Sequence, residues 1–140
     1  MNFKPVLHVI ARLMGVVGLV MGLCGLVSLL YGEPVPAWGA LVWTGAATFT
    51  VSAAVWALTQ NAVELTRRDG LGVVAFGWLL VGLVGAVPYV LTGVISSPIA
   101  AFFETMSGLS TTGASVIPVL EVVPKGILLW RSTTHLLGGM

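Results

Sequence analysis

Charge is what this sequence has least of. Of its 140 residues only 8% are Asp, Glu, Lys or Arg, whereas 57% are apolar and the mean hydropathy is +1.04. A water-soluble domain needs about 25% charged residues to clothe its surface, so a soluble globule is excluded. The net charge of +1 carries little information, and nothing points to nucleic acid. Cysteine is nearly absent. Cys24 alone can form neither an internal disulfide nor a ligand cluster, and it reads as a small packed residue. His8 and His135 stand far apart, with no ligand spacing and no nucleophile beside them. Phosphate-binding loops, dinucleotide fingerprints and metalloprotease motifs are missing too. The chain therefore reads as having no enzymatic chemistry and no covalent cofactor.

What the sequence does have is long apolar runs. Charges are missing from Leu13 to Gly32, from Pro34 to Val63 and from Gly70 to Phe103. Each run reaches the roughly 20 residues that cross a bilayer core as a helix. Backbone groups in lipid must be satisfied internally, and these runs are continuous rather than alternating, so helices rather than a barrel are expected. The fold class is all-α integral membrane. Lys4 and Arg12 give a positive start, but the following apolar run is too long for a signal peptide and no small-residue cleavage site follows it, so the segment is read as a retained helix.

The first helix is expected from Pro5 to Leu30, with Gly15, Gly18, Gly22 and Gly25 on one face, a pattern that lets helices approach closely in lipid. Residues 31–36 form a turn built on Gly32, Pro34 and Pro36. A second helix is expected from Ala37 to Gln60, with Trp38, Trp43 and Trp56 near its ends at the interfaces. Asn61 to Gly70 is read as a polar loop, and a third helix as running from Leu71 to Thr92 with Pro88 near its end. Lys4, Arg12, Arg67 and Arg68 fall on one side, which places the N-terminus and the 61–70 segment in the cytoplasm.

The fourth segment departs from this pattern. Ser97 is a helix N-cap with Pro98 at the first helical position, and Gly108 with the Ser-Thr-Thr-Gly that follows ends the helix near Leu109. Twelve residues rise about 18 Å, which is well short of a hydrocarbon core of about 30 Å. A half-length helix stopping at membrane depth requires protein or water around its irregular end. Its C-terminal carbonyls carry partial negative charge and favour a cation. In the strand behind it, from Ser110 to Ser115, carbonyl oxygens can replace an ion's hydration shell. Gly113 supplies the backbone freedom that such a strand needs. Val116 to Val123 suits an extended return, and Pro124 opens a last helix. Glu104 and Arg131, the charges expected at membrane depth, are read as a structural pair supporting this segment. Glu121 and Lys125 are read as solvated charges at the outer mouth.

The run Ala101-Phe102-Phe103-Glu104-Thr105-Met106-Ser107-Gly108-Leu109-Ser110-Thr111-Thr112-Gly113-Ala114-Ser115 resembles the first pore segment of the Trk/Ktr/HKT superfamily, most closely its TrkH/TrkG type. Arg68-Asp69-Gly70 with Gly85-Ala86-Val87-Pro88-Tyr89, and Pro124 to Arg131 with Leu137 to Met140, resemble the helices flanking that segment. The resemblance implies a potassium-uptake subunit. In it residues 1–66 are an N-terminal helix pair and 67–140 the first pore repeat, incomplete, with its last helix truncated. Potassium would bind at the carbonyls of Thr111, Thr112 and Gly113, with Ala114 contributing. The implied partners are the bilayer of a bacterial inner membrane, three further pore repeats in a longer chain, a second copy and a cytosolic nucleotide-binding regulatory subunit. The alternative is a small multi-helix membrane protein with an assembly role, using its glycine stripe as the contact surface.

Overall fold

The computed structural model describes residues 3–60 and 66–139. Among these residues the chain folds into α1 (Phe3–Leu30), α2 (Val35–Leu58), α3 (Arg67–Leu91), α4 (Pro98–Leu109) and α5 (Lys125–Gly139). Three helices are long and apolar enough to cross a membrane, Phe3–Leu30, Val35–Leu58 and Arg68–Leu91. At 12 and 15 residues, α4 and α5 are shorter.

α1 and α2 pair through the glycine stripe. A Cβ on Gly45 would lie 2.6 Å from the Gly18 carbonyl and 2.7 Å from the Gly22 nitrogen, and one on Gly18 would lie 2.8 Å from the Gly45 carbonyl. The helices meet backbone against backbone, where dispersion rather than water release holds them in lipid. The two run antiparallel, since His8 near the start of α1 bonds Thr59 just past the end of α2 at 3.0 Å.

α3 begins four residues earlier than the Leu71 start expected from the sequence, and Arg68 and Asp69 lie in its first turn. The cause is a reciprocal cap. The Thr66 hydroxyl accepts from the Asp69 amide and the Asp69 carboxylate accepts from the Thr66 amide at 3.0 Å, which satisfies amides that a helix start leaves open. Residues 61–65 of the expected loop lie outside the described residues. Pro88 is accommodated inside α3 near its end, as expected.

α5 crosses back along α1, with Gly126 against Ser28 and Thr133 near Cys24. The residues that bind the helices into one core include Met21, Leu41, Tyr89, Ile127 and Trp130, all fully buried.

Candidate functional site

α4 starts where the sequence says, with the Ser97 hydroxyl accepting from the Ala100 amide and Pro98 in the first turn. It then packs down α3 in antiparallel fashion. Gly85 makes room for Thr105, and Gly82 for Phe102 and Met106, where a Cβ would come within 2.7 Å of each neighbour. Trp130 of α5, fully buried, donates its indole N–H to the Gly85 carbonyl at 3.0 Å. Leu109, the last residue of α4, shares a cavity with Gly77 and Val81 near the middle of α3. The helix therefore stops halfway along its neighbour. Gly138 of α5 packs onto the Leu109 carbonyl so closely that a Cβ there has no space.

The end of α4 is a tight hydrogen-bonded turn. The Thr112 amide donates to the Ser107 carbonyl and the Thr111 amide to the Gly108 carbonyl, both at 3.0 Å, with Thr111 left-handed at φ 55°. This is the pairing of a Schellman motif, in which the left-handed residue is usually glycine. A β-branched residue there costs about 1–2 kcal/mol, and nothing in the sequence around Thr111 signals it. Gly113 is left-handed again at φ 77°, with Thr112 between them on the ordinary side of φ. Alternation of hand along a strand turns successive peptide planes, so neighbouring carbonyls can face one side. Among the described residues no donor reaches the carbonyls of Thr111, Thr112 or Gly113. Among the described residues a Cβ on Gly113 would meet nothing within 4 Å, so the backbone angle rather than space is what demands glycine.

The strand is tied to its helix from behind. Ser107 donates its hydroxyl to the Ala114 carbonyl at 2.6 Å. The buried Glu104 carboxylate accepts from the Ser115 hydroxyl at 3.0 Å, the Val116 amide at 2.8 Å and Arg131 Nε at 2.7 Å. Glu104 is 1% exposed and Arg131 19%. A carboxylate this deep is tolerable only when paired and hydrogen-bonded, and here every partner belongs to the half-helix, its strand or α5. The pairing of Glu104 with Arg131 was legible in the sequence; the Ser115, Val116 and Ser107 contacts were not. Thr111 to Val116 are all exposed. Among the described residues no group of three or more His, Cys, Asp or Glu could hold a metal ion.

A second polar contact closes the side where α5 begins. Glu33, in the turn after α1, accepts from the Lys125 and Gly126 amides and from the Ser28 hydroxyl. Burial pushes its carboxyl up, but the Ser28 hydroxyl, the two amides and the Lys125 charge outweigh that and hold it below the usual carboxylate range. A cap supplied by a residue 92 positions away leaves no local pattern. Lys125 lies over the Tyr31 ring at 4.3 Å, and Glu121 is exposed.

Comparison with known proteins supplies the family. The family model TrkH, described as a cation transport protein, matches residues 39–140. The Trk system potassium uptake protein TrkH of Halomonas elongata is 36% identical over the whole chain, and that of Vibrio parahaemolyticus 33%. The crystal structure of the potassium transporter TrkH from Vibrio parahaemolyticus superposes with a TM-score of 0.87 at 31% identity, covering 99% of this chain and 30% of that one. The chain spans 29% of the length of each of the two relatives. On the match across residues 39–140, the chain belongs to the TrkH family of cation transport proteins.

Proposed function

We propose that residues 67–140 form the first pore repeat of a Trk-type potassium uptake protein, with residues 1–66 as an N-terminal helix pair beside it. Potassium passes a filter lined by the carbonyls of Thr111, Thr112 and Gly113. Ala114, with one lone pair given to Ser107, stands at the strand's outer end. The observation that carries this reading is the half-length α4 ending midway along α3, followed by a strand with left-handed residues at 111 and 113 and free carbonyls between them. Transport involves no covalent chemistry and no resident cofactor; potassium is the cargo.

Four such strands around an axis are needed to enclose an ion, so three further repeats in a longer chain complete the pore and cover the exposed residues 111–116. Glu104 and Arg131 hold the strand to its helix rather than touching the ion. The N-terminus and the start of α3 lie on the cytoplasmic side of a bacterial inner membrane, a reading supported by the basic residues Lys4, Arg12, Arg67 and Arg68 in the sequence. A second copy and a cytosolic nucleotide-binding subunit complete the assembly. The rival assembly role loses part of its support because two members of the glycine stripe are already covered within the chain, Gly18 by Gly45 and Phe49 and Gly25 by Val42 and Leu41.

Expression of the longer protein in cells lacking potassium uptake tests the proposal. Growth restored at low potassium supports it; unrestored growth, with the protein present in the membrane, contradicts it.

A further inference from the structure

The outer side of the α1–α2 pair carries an open groove of about 580 Å³ lined by Gly15, Val16, Leu19, Phe49 and Ala53, with Arg12 and Trp56 also lining it. Apart from Arg12 and Ser52 its lining is apolar. Lys4, His8 and Arg12 recur at every fourth position of α1 and so share one face, about 12 Å long. Lys4 and Arg12 are exposed, and among the described residues neither forms an ion pair, the one ion pair being Arg131 with Glu104. His8 turns inward to Thr59 and lies beside the Trp56 ring, with centroids 6.3 Å apart. Of the three long helices α2 is the least covered, with 17% of its apolar window buried against 39% in α1 and 33% in α3.

We infer that this groove binds one phospholipid with an anionic headgroup. Its acyl chain lies along Gly15, Val16, Leu19, Phe49 and Ala53, and its phosphate is taken by Arg12, with Lys4 further along α1. The charge decides the occupant. An apolar groove alone accepts any lipid tail, but one lined by Arg12 and an interfacial indole, with Lys4 about two turns further along α1, selects a molecule that is apolar at one end and negative at the other. Gly15 keeps the groove open, since a Cβ there would meet only the Ser52 hydroxyl at 3.4 Å and a larger side chain would project into the space. The inference rests on the membrane placement proposed above, not on passage of a cation.

The test is native mass spectrometry of the full-length protein, purified from detergent with added phosphatidylglycerol or phosphatidylcholine and counted for retained lipid. The wild type should keep one phosphatidylglycerol in preference to phosphatidylcholine. Arg12→Gln should lose about fivefold of that preference, as expected for one cation near an anionic surface. Gly15→Leu and, as a second filler, Ala53→Leu should release both lipids while the protein still takes up potassium. Equal retention of the two lipids, or retention unchanged in all three variants, overturns the inference. So does a fall in dimer fraction with lipid count unchanged, which gives the groove to a second copy. Absence of potassium uptake by the wild type, with its lipid preference as expected, would count against the transport reading alone.

Discussion

The α1–α2 pair and the repeat from α3 to α5 hold together by different means. In the pair, Gly18, Gly22 and Gly45 bring two backbones into contact, and the hydroxyls of Thr48, Thr50 and Ser52 bond carbonyls of their own helix. In the repeat, side chains reach across elements: Glu104 to Ser115, Val116 and Arg131, Ser107 to Ala114, Trp130 to Gly85. The difference follows from the backbone. Regular helices satisfy their own amides and carbonyls, so close packing suffices to join them. The strand behind α4 has no ladder, and each buried amide left unmet at membrane depth would cost several kcal/mol. The polar side chains that bond across elements therefore gather around the irregular backbone behind α4.

The comparison can be broken by removing the anchor of one region and crowding the other. Glu104→Ala takes the acceptor from Ser115 and Val116 and strands Arg131. It should destabilise the protein near the low end of about 3–5 kcal/mol, because Arg131 is 19% exposed and water can reach it. Thermal unfolding in detergent should show this together with loss of potassium uptake. In a cycle with Arg131→Gln the two losses should be strongly non-additive; additive losses would show that the pair is not coupled.

Gly45→Ala attacks the other region. Its Cβ would meet backbone atoms of α1 at 2.6–2.7 Å, so the helices must part, at a cost of about 1–3 kcal/mol. Unfolding temperature should fall while the potassium-to-sodium uptake ratio stays at the wild-type value. A changed ratio would mean that the two regions are not separable.

Smaller changes sharpen the contrast. Ser107→Ala removes the hydroxyl that holds the Ala114 carbonyl, worth about 1 kcal/mol, and should lower the selectivity ratio more than it lowers stability. Least of all is the Glu33 cap on α5. Its carboxyl is held below the usual range, so its stabilisation is complete above the ordinary carboxylate pKa and is lost as pH falls through the lowered one. On acid titration wild type and Glu33→Gln should converge in unfolding temperature below the ordinary carboxylate range and differ slightly above it.

The sequence made the long-range plan readable because lipid imposes it: charge-free runs give the spans, and Ser97-Pro98 with Gly108 bounds a helix too short to cross. Glu104 and Arg131 were legible as a pair because a charge at that depth needs one. The start of α3 was misplaced because Arg-Arg-Asp looks like loop, although Thr66 and Asp69 stand at capping-box spacing and could have been read. Thr111 was unreadable as a left-handed residue, since its β-branched side chain argues against that conformation and only the turn it closes, its own amide on the Gly108 carbonyl and the Thr112 amide on the Ser107 carbonyl, explains it. The Glu33 cap was invisible because its partners are remote in sequence.

The most direct test of the filter is the ratio of rubidium to sodium flux into proteoliposomes bearing the full-length protein with Gly113→Ser. The left-handed angle at φ 77° disfavours any side chain, while among the described residues nothing crowds a Cβ there. The account predicts that selectivity falls at least tenfold, about 1.4 kcal/mol of discrimination, with the unfolding temperature close to wild type. A variant as selective as the wild type would contradict the assignment of Gly113 to a cation filter.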